Sequence, residues 1–493
     1  VPVRVPGADG SVIGRAAPTL LLALTLAACG GGGSSGNSSS SSGASSQASV
    51  GLLAAEADTS GTATTFTSAG SIDKSNPFFQ PFGNGRSCAT CHDQSAGWTV
   101  TPALLSQRFD SSNGTDPIFL PVDGANSPAA PVSTLSERRS AYSMLLSKGL
   151  IRIGLPIPAG AQFTLSAVDD PYAFASASEL SLFRRPLPVA NLNFVTAIMW
   201  DGRETASDPA SSQCVRTSVP LQCYGSTASG LAAQAVNAIM THAQDAAGLT
   251  ASQAQQIVAF ETALFNAQST DQAAGNLDAN NATGGPLALS QTGFHFGIND
   301  LFSGDYETGA PFTSEVMGLY AAWLSSGPPP ADATSQARAS IARGEQIFNN
   351  RRFQIAGVPG FNDVLGQSSV TGTCTSCHLT PNVGDQSVPR FMNTGISAAV
   401  RRTPDMPLYT LTNSSTGETI QTMDPGLALQ TGQWADIGKV KVPGLRGLQS
   451  HPPFFQNGSA PDVAGVIEFY EHRFNLNLAP QEVADLSAFL KAL

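Results

Sequence analysis

Apolar positions recur along much of this chain at helical intervals, and that spacing predicts mostly helices. Gly230 to Gln244 (GLAAQAVNAIMTHAQ) reads as a helix. At about 100° per residue Gln234 and His242 lie about 80° apart on its surface, two turns along, so they can line one pocket. Ala337 to Asn349 (ARASIARGEQIFN) is a second helical stretch. Asp462 to Glu471 (DVAGVIEFYE) sets Val463, Val466, Ile467 and Tyr470 on one face, a buried stripe that includes a phenol. A last helix is predicted from Pro480 to Leu493, with Pro and Glu in its opening turn and Val483, Leu486, Phe489 and Leu490 on one face. Strand patterning is sparse, although Leu150 to Ile157 suits a piece of hairpin. The predicted class is mainly α.

The amino end follows a different pattern. Arg4 and Arg15 precede the apolar run Ala16 to Ala28, too short to span a bilayer but suited to an export signal. It ends in Leu26-Ala27-Ala28-Cys29-Gly30, which resembles a bacterial lipobox. On that reading residues 1–29 are a lipoprotein-type signal, Cys29 becomes a lipid anchor, and the protein is exported and held at the outer membrane, facing the periplasm. The alternative is a plain signal peptide cut at the small residues. Residues 30–70 are mostly Gly, Ser, Ala and Thr and read as a flexible tether. The break Ser325-Ser326-Gly327-Pro328-Pro329-Pro330 sets a domain boundary near Pro330, giving units at 71–330 and 331–493.

Composition narrows the function. With 41% hydrophobic and 12% charged residues among 493, the chain has material for two globular units. Its net charge of −11 argues against nucleic acid as a partner and supplies no polybasic membrane patch.

The cysteines carry the chemistry. Cys88-Ala-Thr-Cys91-His92 and Cys374-Thr-Ser-Cys377-His378 are two C-x-x-C-H motifs, the attachment signature of c-type haem. Two thiols at that spacing reach the two vinyl groups of one macrocycle, and the adjacent imidazole turns back onto the iron. A redox dithiol or zinc pair is the rival reading, but each motif has a single His at hand and no further Cys close by. Cys214 and Cys223 most simply close a disulfide loop in an oxidising compartment.

From about Asn76 onward the chain resembles the bacterial dihaem cytochrome c peroxidase and MauG superfamily. The resemblance rests on CATCH, then Trp200-Asp201-Gly202-Arg203-Glu204, then Leu231-Ala-Ala-Gln234-Ala, then CTSCH. Val442-Pro443-Gly444-Leu445-Arg446-Gly447, Pro453-Phe454-Phe455-Gln456-Asn457-Gly458-Ser459 and the Tyr470 helix complete it. It implies two cytochrome c-like haem domains with loop-rich insertions and a few short strands. The N-terminal haem, on His92, would react with hydrogen peroxide, the C-terminal haem, on His378, would store electrons, and Trp200 would lie between them. It implies Tyr470 as sixth ligand of the second iron, with Met406 and Met423 as rivals and a core tyrosine as the plain alternative. Calcium often sits between such domains; Asn191 and Asn193 are nearby candidates.

Two departures from the family pattern bear on mechanism. No His occurs between His92 and His242, so the first iron is expected to keep an open face. The family places a Glu ten residues after the distal Gln, whereas position 244 here is Gln. His242 then becomes the candidate acid–base group, since peroxide cleavage needs one group to take and return a proton. Glu204 and Asp245 are weaker acid candidates. His295 reads as a core or pocket residue, His451 as a group near a haem propionate, and His472 as exposed. The leading expectation is a peroxidase fed by a small cytochrome or cupredoxin, with oligomeric state open, a homodimer included. Its rivals are a MauG-like oxidase of a protein or small molecule, a rubber-oxygenase-like dioxygenase, and a dihaem electron carrier without catalysis.

Overall fold

Helices form where the apolar stripes place them, and polar caps set their starts. The computed structural model describes residues 50–218, 220–324, 327–328 and 330–493. The predicted signal, Cys29 and the first part of the tether lie outside the described residues. Five longer helices bear on the site: α1 (Thr227–Thr241), α2 (Ala251–Thr262), α3 (Ala333–Asn350), α4 (Val463–Phe474) and α5 (Pro480–Lys491). Side chains of Ser226, Thr250, Asp332 and Asp462 accept from backbone N–H groups in the first turns of α1 to α4, satisfying donors that a helix start leaves free. No helix among the described residues is long and apolar enough to cross a membrane.

α3 and α5 pack closely because Gly344 of α3 lacks a side chain. A Cβ there would stand 2.0 Å from the Asp485 carbonyl oxygen of α5. Phe348, Leu486, Phe489 and Ile467 fill the joint, and the same core takes in Leu277, Met317 and Tyr320 from before Pro330. Strands also join distant parts of the chain. Phe163–Asp169 pairs antiparallel with Leu408–Asn413, placing Leu165 opposite Leu411. The described residues thus form one compact unit that spans the expected boundary.

Short strands exceed the few pieces expected: fifteen accompany eleven α-helices among the described residues. The predicted hairpin piece is one of them, Ile151–Leu155, paired with Leu180–Arg184.

The predicted tether needs correction at its far end. Gly61–Thr67 is a strand paired with Leu264–Asp271. Ala63, Thr65 and Thr67 are buried on one side, and Thr62 bonds the Thr270 hydroxyl across the ladder at 2.7 Å. Threonine suits a pleated, half-buried surface, so a segment that looks like a linker by composition is a strand by pattern. Cys214 and Cys223 form the expected disulfide, facing each other in a small hairpin.

Candidate haem-binding site

The two C-x-x-C-H segments adopt the same local structure. Cys88–Thr90 and Cys374–Ser376 are single tight turns that bring the His N–H to the first Cys carbonyl at 3.0 Å in both. Ser87 and Thr373 precede them, and their N–H groups donate to Thr90 Oγ1 and Ser376 Oγ. His92 Nδ1 meets the Trp98 carbonyl oxygen at 3.0 Å, and His378 Nδ1 meets that of Gly384 at 2.6 Å, each six residues further on. Both carbonyls are aimed by left-handed backbone, with φ of 66° at Trp98 and 69° at Gly384. A non-glycine residue is costly there. Trp98 is held by burial and by its indole N–H, which donates to Thr65 Oγ1 at 2.8 Å. The carbonyl fixes Nδ1 as the protonated nitrogen and leaves Nε2 free to ligate a metal. Burial pushes both imidazoles down to about 4, so they stay neutral.

One cavity is lined by both motifs. Around the first, α1 contributes Leu231, Gln234, Ala235 and Ile239 to the wall, and His242 at its C-terminal cap joins them, the face its spacing predicts. His242 Nδ1 meets Asp123 Oδ2 at 2.5 Å, and Asp123 Oδ1 accepts from Arg86 at 2.6 Å. The charges of Arg86 and Asp123 act on Cys91, and the ring of His242 acts on His92, which assigns this cluster to the first motif. Burial raises the Asp123 carboxyl, but its bond to His242 and the charges of His242 and Arg86 outweigh that and hold it below the usual carboxylate range. Glu261 of α2 also lines the wall. Its Oε2 is buried without a hydrogen-bond partner, and burial pushes the carboxyl up to about 8.

Around the second motif the wall is α4, with Val463, Val466, Ile467 and Tyr470 facing the cavity as the stripe predicts. Tyr470 is stacked on Phe474 at 6.1 Å and packed by Phe455 and Phe469. Burial raises its phenol, and the Cys377 and Cys374 thiols lie close enough to add to the effect.

Trp200 lines the same cavity, its indole N–H donating to the Arg185 carbonyl at 2.8 Å and its own carbonyl accepting from Lys441 N–H at 2.9 Å. The next residue, Asp201, is fully buried between Arg184 and Arg203, and Arg184 also grips Asp424. Breaking such a buried pair costs about 3–5 kcal/mol, so the turn that presents Trp200 is firmly set.

The residues fit covalently attached haem on a further ground. Arg185 lines the cavity, is buried, and donates only to backbone carbonyls, those of Val100, His451, Gly149 and Lys148. Burial pulls it down to about 9. Arg446 is buried with Nε lacking any partner. Neither cation has a carboxylate within ion-pair distance, although the Glu345 charge acts on Arg446; such buried cations call for an anion, and haem propionates supply one.

The other predicted residues fall elsewhere. Met406 and Met423 pack in a core with Met144, Leu150 and Phe183, off the cavity wall. Asn191 and Asn193 spend their side chains on Asn266 and Thr262, and no group of three metal-ligating side chains occurs among the described residues. His295 pairs with Asp305, Glu204 accepts from Asn237, and neither lines the cavity. Asp245 is also off the wall, and His472 is exposed. His451 does line it, pushed down to about 4 by burial and then by Arg185. Sequence reading missed Asp123, Arg86, Glu261 and Arg185. Arg86, two residues ahead of CATCH in a chain with only 25 Lys and Arg, was the one visible signal.

No family model matches this chain. It is similar to the cytochrome-c peroxidase IdrP1 of Pseudomonas sp. (strain SCT), with 29% identity over 24% of this chain and 36% of that protein. The similarity to cytochrome-c peroxidase IdrP1 of Denitromonas iodatirespirans is 30% over the same shares. The chain thus matches about a third of the length of these curated relatives. The relationship to cytochrome c peroxidases is distant and partial.

Proposed function

We propose that this protein is a dihaem c-type peroxidase that reduces hydrogen peroxide at the first motif with electrons relayed through the second. The observation that carries the reading is the contrast across one cavity: an acid–base cluster faces the first motif, and a phenol in an aromatic wall faces the second. The similarity to proteins named cytochrome-c peroxidase supports the same class. In this reading each motif heads a cytochrome c-like haem unit within a mainly α scaffold. Cys88, Cys91, Cys374 and Cys377 attach the haems, His92 and His378 ligate them, and Arg185 and Arg446 hold propionates. When bound, haem supplies iron redox chemistry and a site for peroxide oxygen.

The chain's own residues do the rest. His242 takes a proton from one peroxide oxygen and returns it to the other, and Gln234 presents an amide to the same space. Trp200, on the cavity wall both motifs line, would be the conducting side chain, and Tyr470 would ligate the iron held at the second motif. Export and lipid attachment through Cys29 belong to the proposal and accord with haem attachment outside the bacterial cytoplasm. Electrons come from a small cytochrome or cupredoxin.

The test is optical and EPR spectroscopy of the oxidised holoprotein before and after stoichiometric peroxide. A high-spin signal that disappears with peroxide supports the reading. Two low-spin centres indifferent to peroxide overturn it in favour of a carrier. Dioxygen uptake with a hydrophobic substrate and no peroxide requirement overturns it in favour of an oxygenase.

A further inference from the structure

The first-motif neighbourhood contains a connected chain of three charged or ionisable side chains that the resemblance does not supply. Arg86 donates from Nε to the Pro117 carbonyl at 2.7 Å and from NH2 to that of Ile118 at 2.8 Å, while NH1 reaches Asp123. Its guanidinium is therefore fixed at every nitrogen. Asp123, in turn, offers one oxygen to Arg86 and the other to His242. The main chain of His242 is clamped from the same side, its carbonyl accepting from Asn84 at 2.9 Å and from Arg86 at 3.2 Å. Both the backbone and Nδ1 of His242 are thus committed, and its ring reaches the cavity wall that also holds Gln234.

We infer that Asp123, anchored by Arg86, is a positioning residue that holds His242 with its proton on Nδ1 and Nε2 free as the base for an incoming protic ligand. The inference deepens the peroxidase reading and rests on it. A carboxylate on Nδ1 fixes the tautomer and stabilises the imidazolium formed when Nε2 accepts a proton. Arg86 keeps Asp123 ionised and stops it rotating away. For peroxide the balance is H2O2 + 2 H+ + 2 e− giving two waters. The O–O bond breaks, peroxide is reduced, and the donor redox protein is oxidised. His242 moves one proton from the first oxygen to the departing one, and solvent supplies the other two. The cluster would occupy the role that a carboxylate ten residues after Gln234 would otherwise take, a position that is Gln244 here.

The test separates proton handling from access, using the full-chain holoprotein. At neutral pH cyanide arrives as HCN and must lose its proton on binding ferric iron, whereas carbon monoxide binds ferrous iron with no proton to lose. Stopped-flow association of both probes is measured for the wild type, Asp123→Asn, Asp123→Glu and His242→Gln. Asp123→Asn and His242→Gln are each expected to slow cyanide association about tenfold or more and to leave carbon monoxide association within about twofold. Asp123→Glu is expected to recover most of the cyanide rate, and the double variant Asp123→Asn/His242→Gln to be no slower than either alone. His242→Gln leaves the Arg86–Asp123 pair intact and so reports even where Asp123→Asn fails to fold. Slow cyanide binding in His242→Gln with a wild-type rate in Asp123→Asn overturns the role of Asp123. Wild-type rates in His242→Gln overturn the whole cluster. A wild-type protein that binds neither probe removes the peroxidase reading itself, a different failure.

Discussion

The two C-x-x-C-H neighbourhoods share one local structure and differ in the cavity wall beside it. Each has a tight turn, a capped start and an imidazole tied by Nδ1 to a carbonyl on left-handed backbone. Facing the first are His242, Asp123 and Gln234; facing the second is Tyr470 among Phe455, Phe469 and Phe474. The attachment chemistry is one local solution used twice. In the proposed function a division of labour would come from the cavity walls that α1 and α4 supply, helices that follow their motifs at unrelated distances in sequence.

The strongest way to break the comparison is to remove one member. Replacing Cys374 and Cys377 together by Ala is expected to halve the haem content in pyridine haemochrome analysis, from two per chain to one. The remaining haem should still bind cyanide at the wild-type rate. A protein that already carries one haem per chain ends the two-centre account.

A smaller effect sharpens the asymmetry on the first side. Glu261 keeps its proton to about pH 8 in the folded protein because burial disfavours its charge, and its ordinary value is 4.5. The native state therefore binds more protons than the unfolded state between those values, and the group destabilises the fold progressively as pH rises through them. Glu261→Gln removes that dependence. Denaturant titration is expected to show the variant matching wild type near pH 4.5 and exceeding it by a few kcal/mol near pH 8. Parallel curves at both pH values would show that the carboxyl is ionised in the holoprotein.

The smallest change in stability is expected on the second side. The Tyr470 ring is packed by three phenylalanines and survives in Tyr470→Phe, so stability should move by no more than about 1 kcal/mol. The spectrum of the low-spin centre should nevertheless change, while cyanide association at the first centre does not. An unchanged spectrum makes Tyr470 a core residue.

What could be read from sequence follows the range of the interactions. The haem motifs were legible because covalent chemistry fixes them within five residues. The cavity faces of α1 and α4 were legible because helical spacing is local: Gln234 with His242, and Val463 to Tyr470, do share a wall. Asp123 was not, since its bond to His242 spans 119 residues and no local pattern marks a carboxylate for such a partner. Arg185 looked like an ordinary charge and is buried without one of opposite sign. The strand at Gly61–Thr67 was hidden by composition, because threonine counts as polar in a linker and as β-branched in a sheet.

The pairing of Phe163–Asp169 with Leu408–Asn413 has a consequence for assembly. Strands so far apart in sequence find each other slowly, because loop-closure entropy must be overcome before their contacts form. Leu408–Asn413 also follows both C-x-x-C-H segments, so this sheet cannot form until both have been synthesised. If the four motif thiols take porphyrin as proposed, late closure of this sheet would leave them accessible for longer than a rapidly folding helical bundle would.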